Sequence, residues 1–323
     1  MTTLPRNTIL LGDARQRLRE LPSSSVDCVI TSPPYFAVRD YGHAQQLGHE
    51  ADVCAWVDQL RGLFLDATRV LKPTGSLWLN LGDGYARHPS DGASRKSLLL
   101  GPERLALVLV EDGWLLRNKV VWAKTNPMPS SVTDRLSCTY EVLYFFTRSP
   151  RYYFDLDAVR VPLRTAQHQT TRDPERAYPP SGISRQGRTI NDNRGLSRLK
   201  AVGLAGHPLG KNPGDVWSLP TAGFRGAHFA TFPAALVERP LLATCPPAIC
   251  CACGRPVTNR PCSCSAPTQP GVVLDPFLGS GTVAVVAERI GRDWLGIELN
   301  PAYVALAEQR ITRARTYDAH APP

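Results

Sequence analysis

Residues 271–290 constrain the fold more than any other stretch of this chain. Gly271-Val272-Val273-Leu274 is an apolar run with the length of a buried strand. Asp275-Pro276-Phe277-Leu278-Gly279-Ser280-Gly281-Thr282 follows as a tight glycine-rich turn, and Val283 to Ile290 continues with helical spacing. That order sets the backbone N–H groups of a helix N-terminus against whatever lies beyond the strand. Asp293 to Ile297 reads as the next strand and ends at Glu298. A helix follows from about Pro301, a residue favoured at helix starts, to Ala314.

The same alternation fills the first half of the chain. Thr8 to Leu11 is a short apolar run ending at Gly12-Asp13, and a helix carrying Leu18 and Leu21 stops at Pro22. Val26 to Ile30 reads as a buried strand running into Thr31-Ser32-Pro33-Pro34-Tyr35. Ala55 to Leu71 has helical spacing and ends at Lys72-Pro73-Thr74-Gly75, and Ser76 to Leu81 is a strand. Arg104 to Glu111 predicts a helix, and Leu115 to Trp122 and Val142 to Phe146 predict strands. Strands alternating with helices predict an α/β fold around a mostly parallel sheet. No apolar run approaches the ~18 residues of a membrane-spanning helix. Met1 to Leu11 lacks the apolar core of a secretion signal, so a cytoplasmic protein without membrane partners is expected.

Charge divides the chain. The formal excess is +9, carried by 31 arginines and six lysines against 28 acids. Between Arg160 and Lys211 eight Arg and two Lys face Asp173, Glu175 and Asp192, which places +7 in a segment rich in Gln, Gly, Ser, Thr, Asn and Pro. A long polar insert of that charge suits a polyanion. Arg185, Arg188, Arg194, Arg198 and Lys200 are its candidate nucleic-acid contacts, because Arg pairs phosphates and guanine edges bidentately. Three segments result: 1–159, the basic insert 160–211, and 212–323.

Gly279-Ser280-Gly281-Thr282-Val283-Ala284 is a G-x-G-x-x-A, and Glu298 lies 17 residues beyond Gly281. An acid there suits the hydroxyls of a ribose, and the missing Lys after the second glycine disfavours nucleotide hydrolysis. By itself the pattern accommodates a dinucleotide or another adenosine-containing cofactor. Asp275 at the strand end and Phe277 over the turn favour a cationic ligand without pyrophosphate. S-adenosylmethionine, an adenosine with a methionine ammonium, fits that description. A nicotinamide oxidoreductase is the competing use of the glycine turn and gives no account of the Pro-Pro turn.

Thr31-Ser32-Pro33-Pro34-Tyr35 follows a buried strand, which puts it at the carboxyl edge of the sheet, where open α/β folds bind ligands. Two prolines remove two N–H donors and leave carbonyls and the Ser32 hydroxyl as acceptors. Acceptors aimed at an exocyclic amine, Ser32 Oγ and the Pro33 carbonyl, would free its lone pair to attack a methyl sulfonium. Tyr35 offers a face for an extruded base.

Together these motifs resemble those of the amino-group DNA methyltransferases. Ile30 to Tyr35 is similar to their catalytic signature and Asp275 to Gly281 to their cofactor motif. Gly12-Asp13, Val121 to Pro127, Gly214 to Trp217 and His228 to Pro233 also match. Catalytic turn first, cofactor turn last and a variable insert between is the order of the circularly permuted β class. The resemblance implies a Rossmann-like methyltransferase fold with an inserted target-recognition region. It implies a double-stranded DNA substrate and the possibility of a cognate restriction endonuclease as partner. By resemblance Asp13 contacts the cofactor adenine, Glu298 the ribose, and Asp275 with Phe277 the methionine end. Gly279, Gly281 and Thr282 form the turn, and His228 walls the pocket. Ser32, Pro33, Pro34 and Tyr35 are the catalytic set. Ser at its first position is typical of cytosine-N4 members, Asp of adenine-N6 members.

Six of the nine cysteines fall within twenty residues, at 245, 250, 251, 253, 262 and 264. Cys250 and Cys253 form a C-x-x-C followed by Gly254-Arg255-Pro256, the tight turn of a zinc knuckle, and Cys262-Ser263-Cys264 supplies a second pair. Cys250, Cys253, Cys262 and Cys264 are therefore the candidate ligands of a structural zinc within a knuckle at 245–265, with Cys251 as the alternative to Cys250. A zinc-bearing DNA-binding protein without catalysis is the reading that this cluster alone would allow. Cys28 and Cys54 read as core.

Overall fold

A computed structural model describes residues 3–162, 207–222, 232–257 and 262–318. Two compact units are present, 1–155 with 215–323, and 156–214. The larger is built from β1 (Thr8–Leu11), α1 (Ala14–Glu20), β2 (Val26–Thr31), α2 (Val53–Val70), β3 (Leu71–Leu81), α3 (Gly101–Glu111), β4 (Leu115–Lys124) and β5 (Tyr140–Thr147). It continues with β6 (Val216–Leu219), α4 (Ala234–Thr244), β7 (Ile249–Cys250), β8 (Thr268–Gln269), β9 (Val272–Asp275), α5 (Thr282–Arg289), β10 (Asp293–Glu298) and α6 (Pro301–Asp318). In the smaller unit, Val161 and Lys211 pair as an antiparallel bridge and Arg160 bonds Asp157 at 2.6 Å. The basic-insert contacts expected at Arg185, Arg188, Arg194, Arg198 and Lys200 lie outside the described residues.

Eight strands form one sheet in the order β1-β10-β9-β2-β3-β5-β4-β6. β5 runs antiparallel to both β3 and β4, and every other pairing is parallel. The mostly parallel α/β expectation therefore holds. β2 leads through α2 to β3 on one side, while β9 leads through α5 to β10 on the other. Open parallel sheets bind ligands at such a reversal, outside the carboxyl ends of the two strands. Cys28 pairs with Val273 and Val29 with Leu274, so Thr31 and Asp275 end side by side at that crevice.

Alternation along the strands supplies a core to each face. Leu77, Leu79 and Leu81 point to the side covered by α1, α2 and α3, where Leu18, Trp56, Leu60, Phe64, Leu105 and Leu109 meet them. Trp78, Leu143 and Phe145 point to the other side, against Leu241, Val283, Val286 and Ile311. Trp78 stacks on Phe145 with ring centroids 4.3 Å apart.

Two local expectations need correcting, and one helix was not expected. Lys72 to Gly75 is a bulge inside β3 rather than a turn before it: Val26 pairs with Leu71, and pairing resumes at Cys28 with Ser76. Cys54 is exposed, because the buried stripe of α2 runs through Val53, Trp56, Val57 and Leu60 and leaves position 54 facing outward. Residues 234–244 form a helix in spite of Pro240 inside it.

Candidate active site

A cavity of about 280 Å³ opens at the β2/β9 crevice. Of the expected residues, Asp13, Ser32, Pro34, Phe277, Gly279, Thr282 and Glu298 line it. Both glycines of the turn adopt the left-handed conformation, φ +52° at Gly279 and +80° at Gly281, which other residues reach only under strain. A side chain at Gly281 would also come within 3.0 Å of Ala307 on α6.

Each acid in the wall is held by backbone donors. Glu298 accepts from the N–H of Gly279 and of Asn300, both at 2.8 Å, so the end of β10 is tied to the glycine turn. Burial raises its carboxyl above the ordinary value, and those N–H groups pull the other way. Asp13 caps α1 by accepting from Gln16 N at 2.9 Å, which gives it a structural reason to be there as well.

Asp275 occupies a different place. It is 1% exposed and is not part of the cavity wall. Its Oδ1 accepts from Thr31 Oγ1 at 2.7 Å and from Phe277 N at 3.0 Å. Burial pushes its carboxyl up to about 7. Pro33 and Gly281 are likewise buried behind the wall. His228 lies outside the described residues.

Behind Ser32 is a polar cluster that the sequence did not announce. The Tyr35 hydroxyl donates to Glu141 Oε2 at 2.8 Å and lies 3.2 Å from Ser32 Oγ. Asn80 Nδ2 donates to the Tyr35 hydroxyl and to Glu141 Oε2, both at 2.8 Å, and more weakly to Ser32 Oγ at 3.4 Å. Lys124 Nζ closes the chain on Glu141 Oε1 at 2.6 Å, with Trp122 packed beneath it in the core. Asn80 Oδ1 is buried with no hydrogen-bond partner among the described residues. Burial, then the Glu141 charge, holds the Tyr35 hydroxyl well above its usual pKa, so it stays a donor. Trp56 Nε1 donates to the Pro34 carbonyl at 2.9 Å and fixes the turn from α2.

The loop after the Pro-Pro turn contributes Tyr41, His43, Gln45, Gln46 and Leu47 to the cavity, and α6 contributes Tyr303. None carries a motif, so position alone reveals them. Asp83, by contrast, caps the start of α3 by accepting from Leu100 N and Gly101 N at 3.1 and 3.2 Å.

The profile of the DNA methylase family matches residues 26–309. The chain belongs to the DNA methylase family. The methylase is 37% identical to the type II methyltransferase M.Cfr9I of Citrobacter freundii, over 94% of its own length and 87% of that protein's. It is 33% identical to M.SmaI of Serratia marcescens, over 95% and 91% of the two lengths. Among solved structures its fold is similar to the PvuII DNA methyltransferase, described as cytosine-N4-specific, with TM-score 0.57 at 20% identity over 97% and 93% of the chains. A DNA modification methylase of Thermus thermophilus, crystallised with S-adenosyl-L-methionine, aligns with TM-score 0.54 at 23% identity over 95% of each chain.

Away from the crevice, four sulfurs come together. Those of Cys250, Cys253, Cys262 and Cys264 all lie within 4.8 Å of one another, and none is in a disulfide. Backbone N–H groups of Cys253 and Ala252 point at Cys250 Sγ and pull its thiol below the usual range. Gly254, at φ +68°, turns the chain, and its N–H bonds the Cys250 carbonyl at 2.8 Å. Cys251 is exposed and outside the group, and Cys245 is fully buried.

Proposed function

We propose that the methylase transfers a methyl group from S-adenosylmethionine to the exocyclic N4 amine of a cytosine flipped out of a short duplex DNA sequence. The observation that carries this reading is the meeting of the Ser32 turn and the glycine turn in one cavity at the reversal point of the sheet. The order of the two turns in the chain supports membership of the permuted β class of SPPY type. Ser32 as first residue of the catalytic turn favours cytosine, and the fold's likeness to a cytosine-N4-specific enzyme agrees with that.

In this reading Glu298 takes the ribose hydroxyls, Asp13 the adenine, and the Gly279–Thr282 turn with Phe277 the methionine end. Asp275 acts on the methionine ammonium as a buried charge behind the turn. The bound cofactor supplies an electrophilic methyl sulfonium. Ser32 Oγ and the Pro33 carbonyl accept the hydrogens of the target amine and free its lone pair for direct attack, without a covalent enzyme intermediate. The nitrogen–methyl bond forms as the sulfur–methyl bond breaks to leave a neutral thioether, and the amine loses one proton after attack. Tyr35 and Pro34 complete the pocket for the flipped base. The basic segment 160–211, through Arg185, Arg188, Arg194, Arg198 and Lys200, reads the target sequence, and His228 walls the cofactor pocket. Relatives described as type II methyltransferases support a cognate restriction endonuclease as partner and work in the cytoplasm. No described helix is long and apolar enough to cross a membrane.

Incubating DNA with labelled cofactor, hydrolysing it and separating N4-methylcytosine from N6-methyladenine tests the reading directly. Label in N4-methylcytosine supports it, and label in N6-methyladenine moves the substrate to adenine with the same acceptors. Ser32→Ala and Tyr35→Ala should each abolish transfer and leave cofactor binding measurable. Normal turnover by both variants sinks the mechanism, and DNA binding without any transfer would point to a non-catalytic zinc protein.

Cys250, Cys253, Cys262 and Cys264 are assigned here to a structural zinc. Four thiolates leave no coordination position for water, so the metal stabilises the 245–265 knuckle rather than the chemistry.

A further inference from the structure

Glu141 stands outside the cavity, yet the hydrogen bonds around it decide which way the Ser32 hydroxyl points. A tyrosine has one O–H to give. Tyr35 gives its own to the Glu141 carboxylate, the strongest acceptor in the cluster, at 2.8 Å. Asn80 directs its two amide hydrogens at the Tyr35 oxygen and Glu141, both at 2.8 Å, and its contact with Ser32 Oγ at 3.4 Å is the weakest of the three. The remaining acceptor site on the Tyr35 oxygen faces Ser32 Oγ at 3.2 Å, and only the serine hydrogen is left to fill it. Ser32 must then donate inward, which turns its lone pairs toward the cavity it lines.

We propose that Glu141 is a positioning residue for methyl transfer: acting through Tyr35, it holds the Ser32 hydroxyl as a hydrogen-bond acceptor for the target amine. The inference rests on the reading that Ser32 receives that amine. It also answers a weakness of the Ser-Pro-Pro-Tyr turn, since a neutral hydroxyl accepts less strongly than a carboxylate. The chain from Glu141 through Tyr35 to Ser32 polarises each bond by the next and lends the serine part of a carboxylate's pull. Lys124, 2.6 Å away on the far carboxylate oxygen, fixes Glu141 in place.

Glu141→Gln keeps the shape of the side chain and removes the charge. Its amide can donate to Tyr35, which would reverse the chain and aim the serine hydrogen at the amine. With unmethylated phage DNA and labelled cofactor, kcat should fall about 10²-fold, the lower range for a positioned acid–base group. The Kd for S-adenosylmethionine should stay within about twofold of wild type, because Glu141 is not in the cavity wall. Tyr35→Phe cuts the link and should cost a similar factor.

A merely structural role would not couple the two sites. In the Tyr35→Phe background Glu141→Gln should add less than about twofold, because the relay is already broken. Multiplying losses in the double variant, or wild-type kcat in Glu141→Gln, overturns the proposal. If Glu141→Gln fails to bind cofactor, Glu141→Asp, which withdraws the charge by one methylene, is put through the same comparison with the same expectation and the same overturning results. A wild-type protein that transfers no methyl to DNA defeats the methyltransferase reading itself; an active wild type with an unaffected Glu141→Gln defeats only this inference.

Discussion

Thr31 Oγ1 donates to Asp275 Oδ1 at 2.7 Å, a bond between residues 244 positions apart in the chain. It joins the last residue of β2 to the last residue of β9, and so fixes the Ser-Pro-Pro-Tyr turn against the glycine turn from beneath. Thr31→Val is nearly isosteric and removes the donor. The Asp275 carboxylate then keeps only its backbone partner, and stability should drop by about 1–3 kcal/mol, the cost of a buried acceptor left short of a bond. Denaturant unfolding measures the loss, and unchanged unfolding would show that the bond does not contribute.

Asp275 makes the free protein and the cofactor complex respond to pH in opposite senses. Its carboxyl is pushed up to about 7 by burial, from an unfolded value of ~3.9. The folded protein therefore holds that proton more tightly. This contributes stability that is complete below the unfolded value and lost as the pH climbs through about 7. Asp275→Asn should melt at a higher temperature than wild type at pH 8, and the advantage should vanish near pH 4. Cofactor affinity should run the other way. A cationic methionine end favours the ionised acid, so wild-type affinity should rise through pH 7 and the Asn variant should bind weakly at all pH. Calorimetric titration across pH 6–8 decides it, and a flat wild-type profile contradicts the role given to Asp275.

Gly82 sits against the ring of Tyr35. A Cβ there would lie 2.7 Å from Tyr35 Cε2 and 3.1 Å from Cδ2, so Gly82→Ala must move the ring. The Tyr35 hydroxyl would leave Glu141 and Ser32, and misplacement on the 1 Å scale costs up to about 10²-fold in rate. We expect kcat to fall by at least about tenfold with cofactor Kd unchanged. Single-turnover methylation beside a binding titration separates the two.

Elemental analysis of purified protein should find one zinc per chain. Cys253→Ser and Cys264→Ser should lose it and lower the melting temperature, and a chelator should do the same to wild type. Metal-free protein that melts like the wild type would remove the case for zinc.

Much of this was legible in the sequence because the parallel strands are buried on both faces and read as near-continuous apolar runs, as at Val272 to Leu274 and, broken only by Asp27, at Val26 to Ile30. Glycine turns and the cysteine spacing carry local constraints that survive without tertiary context. Glu141 was not legible. It reaches Asn80 and Tyr35 only because β3 and β5 pair antiparallel with Leu81 opposite Val142, and its separations of 61 and 106 residues leave no local trace. The helix at 234–244 was hidden by Pro240, whose missing N–H argues against a helix until packing against the sheet offsets it. Tyr41, His43 and Gln45 to Leu47 line the cavity from irregular backbone, where no periodicity exists to be read.

The strand order has a consequence for synthesis on the ribosome. β1 has its sole described strand partner in β10, and one edge of β2 is covered by β9. During translation both strands must therefore wait, with open edges and an apolar face, until residues 272–298 emerge. A nascent chain halted between the Ser32 turn and that point has the turn but no crevice to hold it, and presents an unpaired strand of the kind that aggregates or recruits chaperones. The crevice between the two turns thus forms late and all at once, when the strand that carries Asp275 joins the sheet.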